Sequence, residues 1–124
     1  MTSIPPYRLG ELTAQPGAQV RGGCAVSLGP ATVSLPVAIT HGSAPGPVLA
    51  VTAGIHGGEY VPMIAVRQFV RDLDPAQLRG TIVACLQASP VAFEQRTPFL
   101  NPLDGQNLNR SFPGDPAGRS KSVV

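Results

Sequence analysis

The sequence predicts an α/β fold built around one strand–helix–strand unit. Two short aliphatic runs, residues 48–53 and 81–87, flank an amphipathic stretch at 60–73. Because a crossover helix joins two strands of one sheet in a right-handed sense, the two runs are expected to be parallel neighbours within a mixed sheet. The 124 residues are 43% hydrophobic and 13% charged, a balance that is typical of a single core-forming domain.

The chain before this unit predicts an arm followed by two strands. Residues 1–17 are polar and interrupted by prolines, which predicts an irregular arm. The runs at 19–28 and 31–40 have the apolar, β-branched composition of strands. Pro36 lies inside the second run, and because proline cannot donate a ladder hydrogen bond, it predicts an edge position or a bulge.

Each element of the unit follows from its local pattern. The glycines and prolines of residues 41–47 predict a turn, and the continuous aliphatic run at 48–53 is typical of a strand buried on both faces. In the stretch 60–73 apolar residues recur every three or four positions, which predicts a helix with Pro62 in its first turn. The predicted buried face comprises Val61, Ile64, Ala65, Phe69 and Leu73.

Composition excludes several classes of function. Nine basic and seven acidic residues leave a net charge of +2 without any basic cluster, so neither a nucleic-acid surface nor a membrane surface is expected. No apolar run approaches the ~18 residues of a membrane span, and the N-terminus lacks a signal-peptide pattern. Cys24 and Cys85 lack metal-site spacing and are expected to be buried free thiols. We therefore expect a soluble cytoplasmic protein.

A histidine and a glutamate follow the first strand of the unit. In VTAGIHGGEY, His56 and Glu59 lie where strand gives way to helix, and ligands bind at this carboxyl edge of open parallel sheets. An imidazole nitrogen and a carboxylate oxygen are zinc ligands, and Gly57 and Gly58 allow the turn to direct both side chains inward. The motif is short, and it fits equally well a helix-capping carboxylate beside a turn histidine.

A long loop follows the second strand and belongs to the same edge of the sheet. The thirty or so residues after Ser89 show little periodicity, and a loop of that length in a compact domain is usually functional or disordered. Within it, Asn109 and Arg110 combine an amide with a guanidinium that can bind a carboxylate through two hydrogen bonds. Arg96 offers a second cation. The alternative is that these arginines are solvated loop residues.

Three motifs in order resemble those of one enzyme family: GPVLAVTAGIHGGEY, LRGTIVACLQASPVAFEQR and DGQNLNRSFPGD. Over residues from about 33 to 118 the chain resembles the succinylglutamate desuccinylase/aspartoacylase family, a branch of the zinc carboxypeptidase-like hydrolases. The resemblance implies the N-terminal portion of that fold and one Zn²⁺ ion per site. It also implies hydrolysis of the N-acyl amide bond of a small carboxylate-bearing substrate, such as an N-acyl amino acid.

The resemblance also implies a role for each candidate residue. It assigns His56 and Glu59 as two zinc ligands. It assigns Arg96 as a cation that polarises the substrate carbonyl or binds the substrate. Asn109 and Arg110 correspond to the clamp for the substrate carboxylate.

The family's third zinc ligand and general base lie downstream of the residues present. Residues 18–118 are therefore predicted to be an incomplete zinc-hydrolase domain, and 119–124 (RSKSVV) an atypical tail from a truncation or a frameshift. His41, the other histidine, lies in the turn and is expected to be a surface residue. Glu94 is the nearest candidate base by position, but it fits a solvated loop carboxylate better.

Two hypotheses remain open from the sequence. One is a zinc-dependent amidohydrolase that is complete only with further sequence. The other is a non-catalytic fragment that binds zinc weakly or acts through association, for which exposed sheet surface would provide the contact.

Overall fold

A computed structural model describes residues 3–28 and 31–114. The predicted tail at 119–124 and the last residues of the predicted hydrolase domain lie outside these ranges. The elements follow one another along the chain as β1 (Tyr7–Leu9), β2 (Leu12–Ala14), β3 (Ala18–Leu28), β4 (Ala31–His41), β5 (Ala44–Thr52), α1 (Tyr60–Asp72), β6 (Arg79–Cys85), α2 (Pro90–Glu94) and a 3₁₀ turn (Leu108–Arg110).

Strands β3 to β6 form one mixed sheet, which confirms the predicted α/β class. Their order is β3-β4-β6-β5, with β3–β4 and β4–β6 antiparallel. Strands β5 and β6 are parallel, in a register that pairs Val48 with Thr81 and Thr52 with Cys85. Helix α1 connects these two strands, so the predicted strand–helix–strand unit is present with its expected strand direction.

The irregular arm predicted for residues 1–17 is wrong, because a β-hairpin lies within it. β1 and β2 pair antiparallel, with Tyr7 opposite Ala14 and Leu9 opposite Leu12. Gly10 begins the connection with φ 56°, a backbone angle that glycine adopts at little cost. The apolar residues of the hairpin alternate with polar ones and pack on Val37 and Ile39 of β4, so core contacts order this segment.

Pro36 does not place β4 at an edge, since β4 lies between β3 and β6. The pairing with β6 begins only at Val37, opposite Cys85. The Pro36 carbonyl still accepts a hydrogen bond from the Leu86 amide at 2.8 Å. The proline therefore occupies the point where β6 ends, and there its missing N–H costs no ladder hydrogen bond.

β5 is not buried on both faces as its sequence predicts. It is the last strand of the sheet in the described part of the chain, with β6 as its one neighbour. Val48 and Leu49 are 55% and 54% exposed. A continuous aliphatic run indicates a strand that is suited to burial, but burial needs covering elements that residues 3–28 and 31–114 do not supply.

Helix α1 buries a different face from the predicted one. Met63, Val66 and Val70 pack in the core beneath it, whereas Val61 is 77% and Ile64 is 56% exposed. Apolar residues cover a wide arc of this helix, so periodicity alone fits two faces, and contact with the sheet decides between them. No helix in the described ranges is long and apolar enough to cross a membrane.

Candidate functional site

The carboxyl ends of β5 and β6 bring the two candidate segments together. The Ala88 amide donates to the Ala53 carbonyl at 2.8 Å, and the Ser89 amide donates to the Gly54 carbonyl at 3.0 Å. Gly54 has a φ of 68°, which turns the chain out of the sheet. The segment that carries His56 is thus tied to the segment that leads into α2.

The turn between His56 and Glu59 packs tightly against the end of α2. A Cβ atom placed on Gly57 would lie 2.5 Å from the carbonyl oxygens of Ala92 and Thr97, so this position has no room for a side chain. Gly58 differs, because the nearest atom to a Cβ there, in Pro98, is 3.7 Å away. Close backbone approach therefore explains the first glycine of the motif but not the second.

The side chains of His56 and Glu59 point toward each other. His56 Nδ1 lies 2.8 Å from Glu59 Oε1, and the His56 backbone N–H donates to Glu59 Oε2 at 3.3 Å. The structure therefore places the two predicted zinc ligands side by side at the edge of the sheet. Their role as ligands remains a prediction.

Asn107 also contacts His56, although no pattern in the sequence indicated that it belongs to the site. Its Oδ1 lies 2.9 Å from His56 Nε2 and also accepts the Asn109 backbone N–H at 3.0 Å. An asparagine before a helical turn predicts an N-cap, and Asn107 does cap the 3₁₀ turn. The contact with a histidine 51 positions away leaves no local pattern, so only the tertiary structure reveals it.

The hydrogen bonds of His56 shift the proton affinities of the pair. Asn107 first, and Glu59 second, raise the pKa of His56 above 6.5, against the opposing effects of burial and of the Arg110 charge. The hydrogen bond from His56 lowers the pKa of Glu59. Both shifts favour an imidazolium–carboxylate pair, in which a proton occupies the space between Nδ1 and Oε1.

Within the described residues, the three other predicted site residues form no hydrogen bond with the side chains of this pair. Arg96, Asn109 and Arg110 are exposed to solvent, the last two on the 3₁₀ turn. The Arg110 charge is near enough to oppose protonation of His56. Arg96 follows α2 with φ 57°, a left-handed conformation that non-glycine residues rarely adopt.

Exposed aromatic rings lie on the segments that carry the site. Phe99 meets the His56 ring edge-on, with centroids 5.7 Å apart, and is itself 63% exposed. Tyr60 and Phe93 form a second edge-on pair at 5.8 Å. The site thus combines a polar centre with an apolar rim.

His41 is not the surface residue that its sequence context predicts. It is 6% exposed, and it pairs with Thr81 at the amino end of β6, whereas His56 follows the carboxyl end of β5. Its Nε2 donates to the Pro5 carbonyl at 3.0 Å, and Nδ1 lies 2.8 Å from the Thr81 hydroxyl. The first residues of the chain cover His41, which satisfies both ring nitrogens with structural contacts.

The residues at the site fit part of a zinc centre. A nitrogen and a carboxylate oxygen within one turn suit the metal, and a catalytic zinc normally takes three protein ligands. Within residues 3–28 and 31–114, no group of three or more His, Cys, Asp or Glu side chains could hold a metal ion. The described residues therefore bring together two candidate ligands of the three that such a centre normally takes.

A comparison with known families now decides the relationship. The succinylglutamate desuccinylase/aspartoacylase catalytic domain matches residues 45–123, which include every candidate site residue. The chain belongs to this family. The sequence resemblance is thereby confirmed, together with the fold that it implies.

Relatives of this family member include a curated enzyme and solved structures. The chain is 36% identical over 87 residues to N-alpha-acetyl-L-2,4-diaminobutyric acid deacetylase of Halomonas elongata, covering 69% of the chain and 25% of that enzyme. The crystal structure of an aspartoacylase family protein from Mesorhizobium loti matches with a TM-score of 0.72 and 36% identity, covering 91% of this chain and 35% of that one. The succinylglutamate desuccinylase/aspartoacylase of Rhodobacter sphaeroides matches with a TM-score of 0.70 and 31% identity, covering 84% and 32%.

The desuccinylase/aspartoacylase family member described here spans only a quarter to about a third of the length of these relatives. The matched part contains the strand–helix–strand unit and the loop after it.

Proposed function

We propose that this chain forms the metal-binding part of a zinc-dependent hydrolase that cleaves the amide bond of a small N-acyl amino acid. The observation that carries the proposal is the 2.8 Å approach of His56 Nδ1 and Glu59 Oε1 at the carboxyl edge of a parallel strand pair. Family membership supports it, since the matched family and its relatives are named for desuccinylase, aspartoacylase and deacetylase activities.

His56 and Glu59 would hold the zinc ion through Nδ1 and a carboxylate oxygen. When bound, zinc would polarise the amide carbonyl and lower the pKa of a bound water. To take up the ion, His56 must release the proton that it shares with Glu59. The donor atoms already lie side by side, so the exchange of a proton for a metal ion requires little movement of the turn.

Asn109 and Arg110 would bind and orient the substrate carboxylate. They lie next to each other on the 3₁₀ turn, and Asn107 links that turn directly to His56. A guanidinium binds a carboxylate through two hydrogen bonds, which holds the adjacent amide in a defined position. The exposed Arg96, after α2, would supply a second positive charge for the carbonyl oxygen.

The substrate class follows from this placement of charge. The Halomonas relative is named for an N-acetylated amino acid, which combines an amide with a free carboxylate. A metal site beside a guanidinium suits such a molecule, because one end binds the cation and the other reaches the metal.

A non-catalytic role is the second candidate. It rests on the two metal-binding side chains that the described residues bring together, where a catalytic zinc takes three. In that case the chain binds zinc weakly or acts only through association.

Zinc titration of the purified chain tests the proposal. We expect one zinc ion per chain to bind the wild type, and His56→Ala and Glu59→Ala to weaken binding strongly. Glu94→Ala is the matched control, because Glu94 is an exposed carboxylate on α2. Equal affinity in the wild type and His56→Ala would refute the ligand assignment.

A further inference from the structure

We propose that Asn107 is a positioning residue that keeps hydrogen on Nε2 of His56 and so presents Nδ1 as the metal-binding nitrogen. The inference rests on the proposed function. It concerns a residue outside the predicted ligands and clamp, and it follows from the hydrogen-bond donors and acceptors that meet at one oxygen atom.

The first step fixes which way the Asn107 amide points. One atom of that amide lies 3.0 Å from the Asn109 backbone nitrogen. A backbone N–H can only donate, so the atom facing it must be the carbonyl oxygen and not the NH₂ group. The opposite orientation would place two donors against each other.

The second step fixes the tautomer of His56. The same Asn107 oxygen lies 2.9 Å from His56 Nε2, and an amide oxygen accepts but never donates. Nε2 must therefore carry the hydrogen. The proton that a zinc ion would displace is therefore the one on Nδ1, which His56 shares with Glu59 Oε1 across 2.8 Å. Both ligand atoms thus converge on the same point.

The third step shows that Asn107 is itself held in place. Its backbone carbonyl accepts the Arg110 N–H at 2.9 Å and the Ser111 hydroxyl at 3.3 Å. The 3₁₀ turn therefore anchors Asn107 at both its main chain and its side chain. Through this one side chain, the turn that carries Asn109 and Arg110 is coupled to the orientation of His56.

Outer partners of metal-binding histidines typically contribute 10- to 100-fold to metal affinity. We therefore expect Asn107→Leu, which removes the acceptor, to weaken zinc binding by about 10- to 100-fold. Asn107→Asp keeps an acceptor oxygen and should bind zinc at least as tightly as the wild type. Asn107→Ser separates the two roles of the side chain, because its shorter hydroxyl can cap the turn but does not span the distance to His56.

The experiment combines a zinc titration with long-range ¹H–¹⁵N NMR of the histidine rings. NMR of the zinc-loaded chain reports which ring nitrogen keeps its hydrogen when the metal is bound. Gln106→Ala is the matched control, because Gln106 is an exposed side chain in the same loop. Circular dichroism checks that each variant is folded.

The expected result is an Nε2–H ring in the wild type, in Gln106→Ala and in Asn107→Asp, and a mixture of tautomers with weaker zinc binding in the Leu and Ser variants. A wild type that binds zinc, together with an Asn107→Leu variant of equal affinity and the same tautomer, would overturn the proposal. If the wild type binds no zinc, the proposed function fails, and an Nε2–H signal in the zinc-free wild type that is lost in Asn107→Leu would still support the hydrogen bond to Asn107. A zinc-loaded wild type with hydrogen on Nδ1 overturns the assignment directly.

Discussion

At the scale of single residues, the centre of the site is one histidine with two different neighbours. Glu59 faces Nδ1 of His56 and Asn107 faces Nε2. The carboxylate can accept a proton or share a metal ion, whereas the neutral amide can only accept a hydrogen bond in this orientation. Because of this asymmetry, Nδ1 can exchange a proton for a metal ion while Nε2 keeps its hydrogen. Zinc binding should therefore depend on pH.

Zinc binding should weaken as the pH falls, starting above the ordinary titration range of histidine. The pKa of His56 is raised from 6.5, so protons compete with zinc for Nδ1 at a higher pH than at an unperturbed imidazole. We expect a fall in affinity of about tenfold per pH unit below the raised pKa. Zinc titrations at several pH values measure it, and an affinity that is constant from about pH 8 to pH 6 would contradict it.

The raised pKa of His56 should also make the zinc-free chain more stable at low pH than at high pH, whereas zinc binding weakens at low pH. The folded chain binds the His56 proton more tightly than the unfolded chain does. The resulting stabilisation is complete below pH 6.5 and is lost as the pH rises through the raised folded-state pKa. Because the carboxylate of Glu59 remains ionised throughout this window, only His56 of this pair contributes to the slope.

The left-handed backbone conformation of Arg96 should lower the stability of the fold. Its φ of 57° costs a non-glycine residue about 1 kcal/mol, which glycine largely avoids. We expect Arg96→Gly to unfold at a higher urea concentration than Arg96→Ala, although both lack the guanidinium. Equal midpoints for the two variants would show that the backbone is not strained there.

At the scale of elements, the contact between the His56 turn and the end of α2 assembles the site. α2 ends with the Thr97 N–H bound to the Ala92 carbonyl at 2.9 Å and the Arg96 N–H bound to the Phe93 carbonyl at 3.1 Å. This pattern is a Schellman motif, in which glycine usually occupies the position of Arg96. The carbonyl groups of Ala92 and Thr97 border Gly57 directly.

Gly57→Ala should therefore separate the two segments, whereas Gly58→Ala should be tolerated. A Cβ on Gly57 would lie 2.5 Å from two backbone oxygens, neither of which can move without displacing α2. We expect a loss of about 1–3 kcal/mol in the free energy of unfolding, together with weaker zinc binding. Urea denaturation measures the first effect, and similar stabilities for the two variants would contradict this account of the turn.

At the scale of the whole molecule, the described residues leave apolar surface on β5 and α1 uncovered. Val48 and Leu49 on β5 and Val61 and Ile64 on α1 are each more than half exposed. Large exposed apolar patches on soluble proteins usually mark surfaces that pack against something else. The longer relatives have about three times as much chain with which to cover such surfaces.

The chain by itself should show negligible amidohydrolase activity. Two protein ligands hold zinc less firmly than three, and Glu94, the nearest candidate base by position, is exposed on α2. The absence of a positioned base alone reduces rates by about 10²- to 10⁴-fold. The assay uses residues 1–124 with excess zinc and a panel of N-acyl amino acids. Turnover well above the zinc-only background that disappears in Glu59→Ala would show a working enzyme.

The chain should also self-associate through the edge of β5 that residues 3–28 and 31–114 leave unpaired. An unpaired, apolar edge strand offers backbone groups to a second copy, and an outward lysine opposes such pairing. We expect Leu49→Lys to increase the monomer fraction in size-exclusion chromatography with light scattering. Gln68→Lys adds the same charge on the exposed face of α1 and should change nothing. A wild type that is monomeric at high concentration would contradict this prediction.

Local patterns in the sequence determined the strand–helix–strand unit and the position of the site. A buried-type strand, a helical period and a second strand each depend on neighbouring residues, so they can be recognised without knowing the fold. The parallel pairing follows from the crossover helix, which returns the chain to the edge of the sheet where the first strand began, and it places the turn after β5 and the loop after β6 at one edge. His56 and Glu59 can be recognised from the sequence as a candidate pair because only three positions separate them.

The tertiary structure alone decided which surfaces are buried and which distant groups meet. The apolar arc of α1 fits two faces, and the sheet selects the one with Met63, Val66 and Val70. His41 is buried because the start of the chain crosses over it, and Asn107 reaches His56 because the loop folds back to the edge of the sheet. Such contacts join residues far apart in the chain, whose spacing carries no periodic signal, so they exist only once the chain has folded.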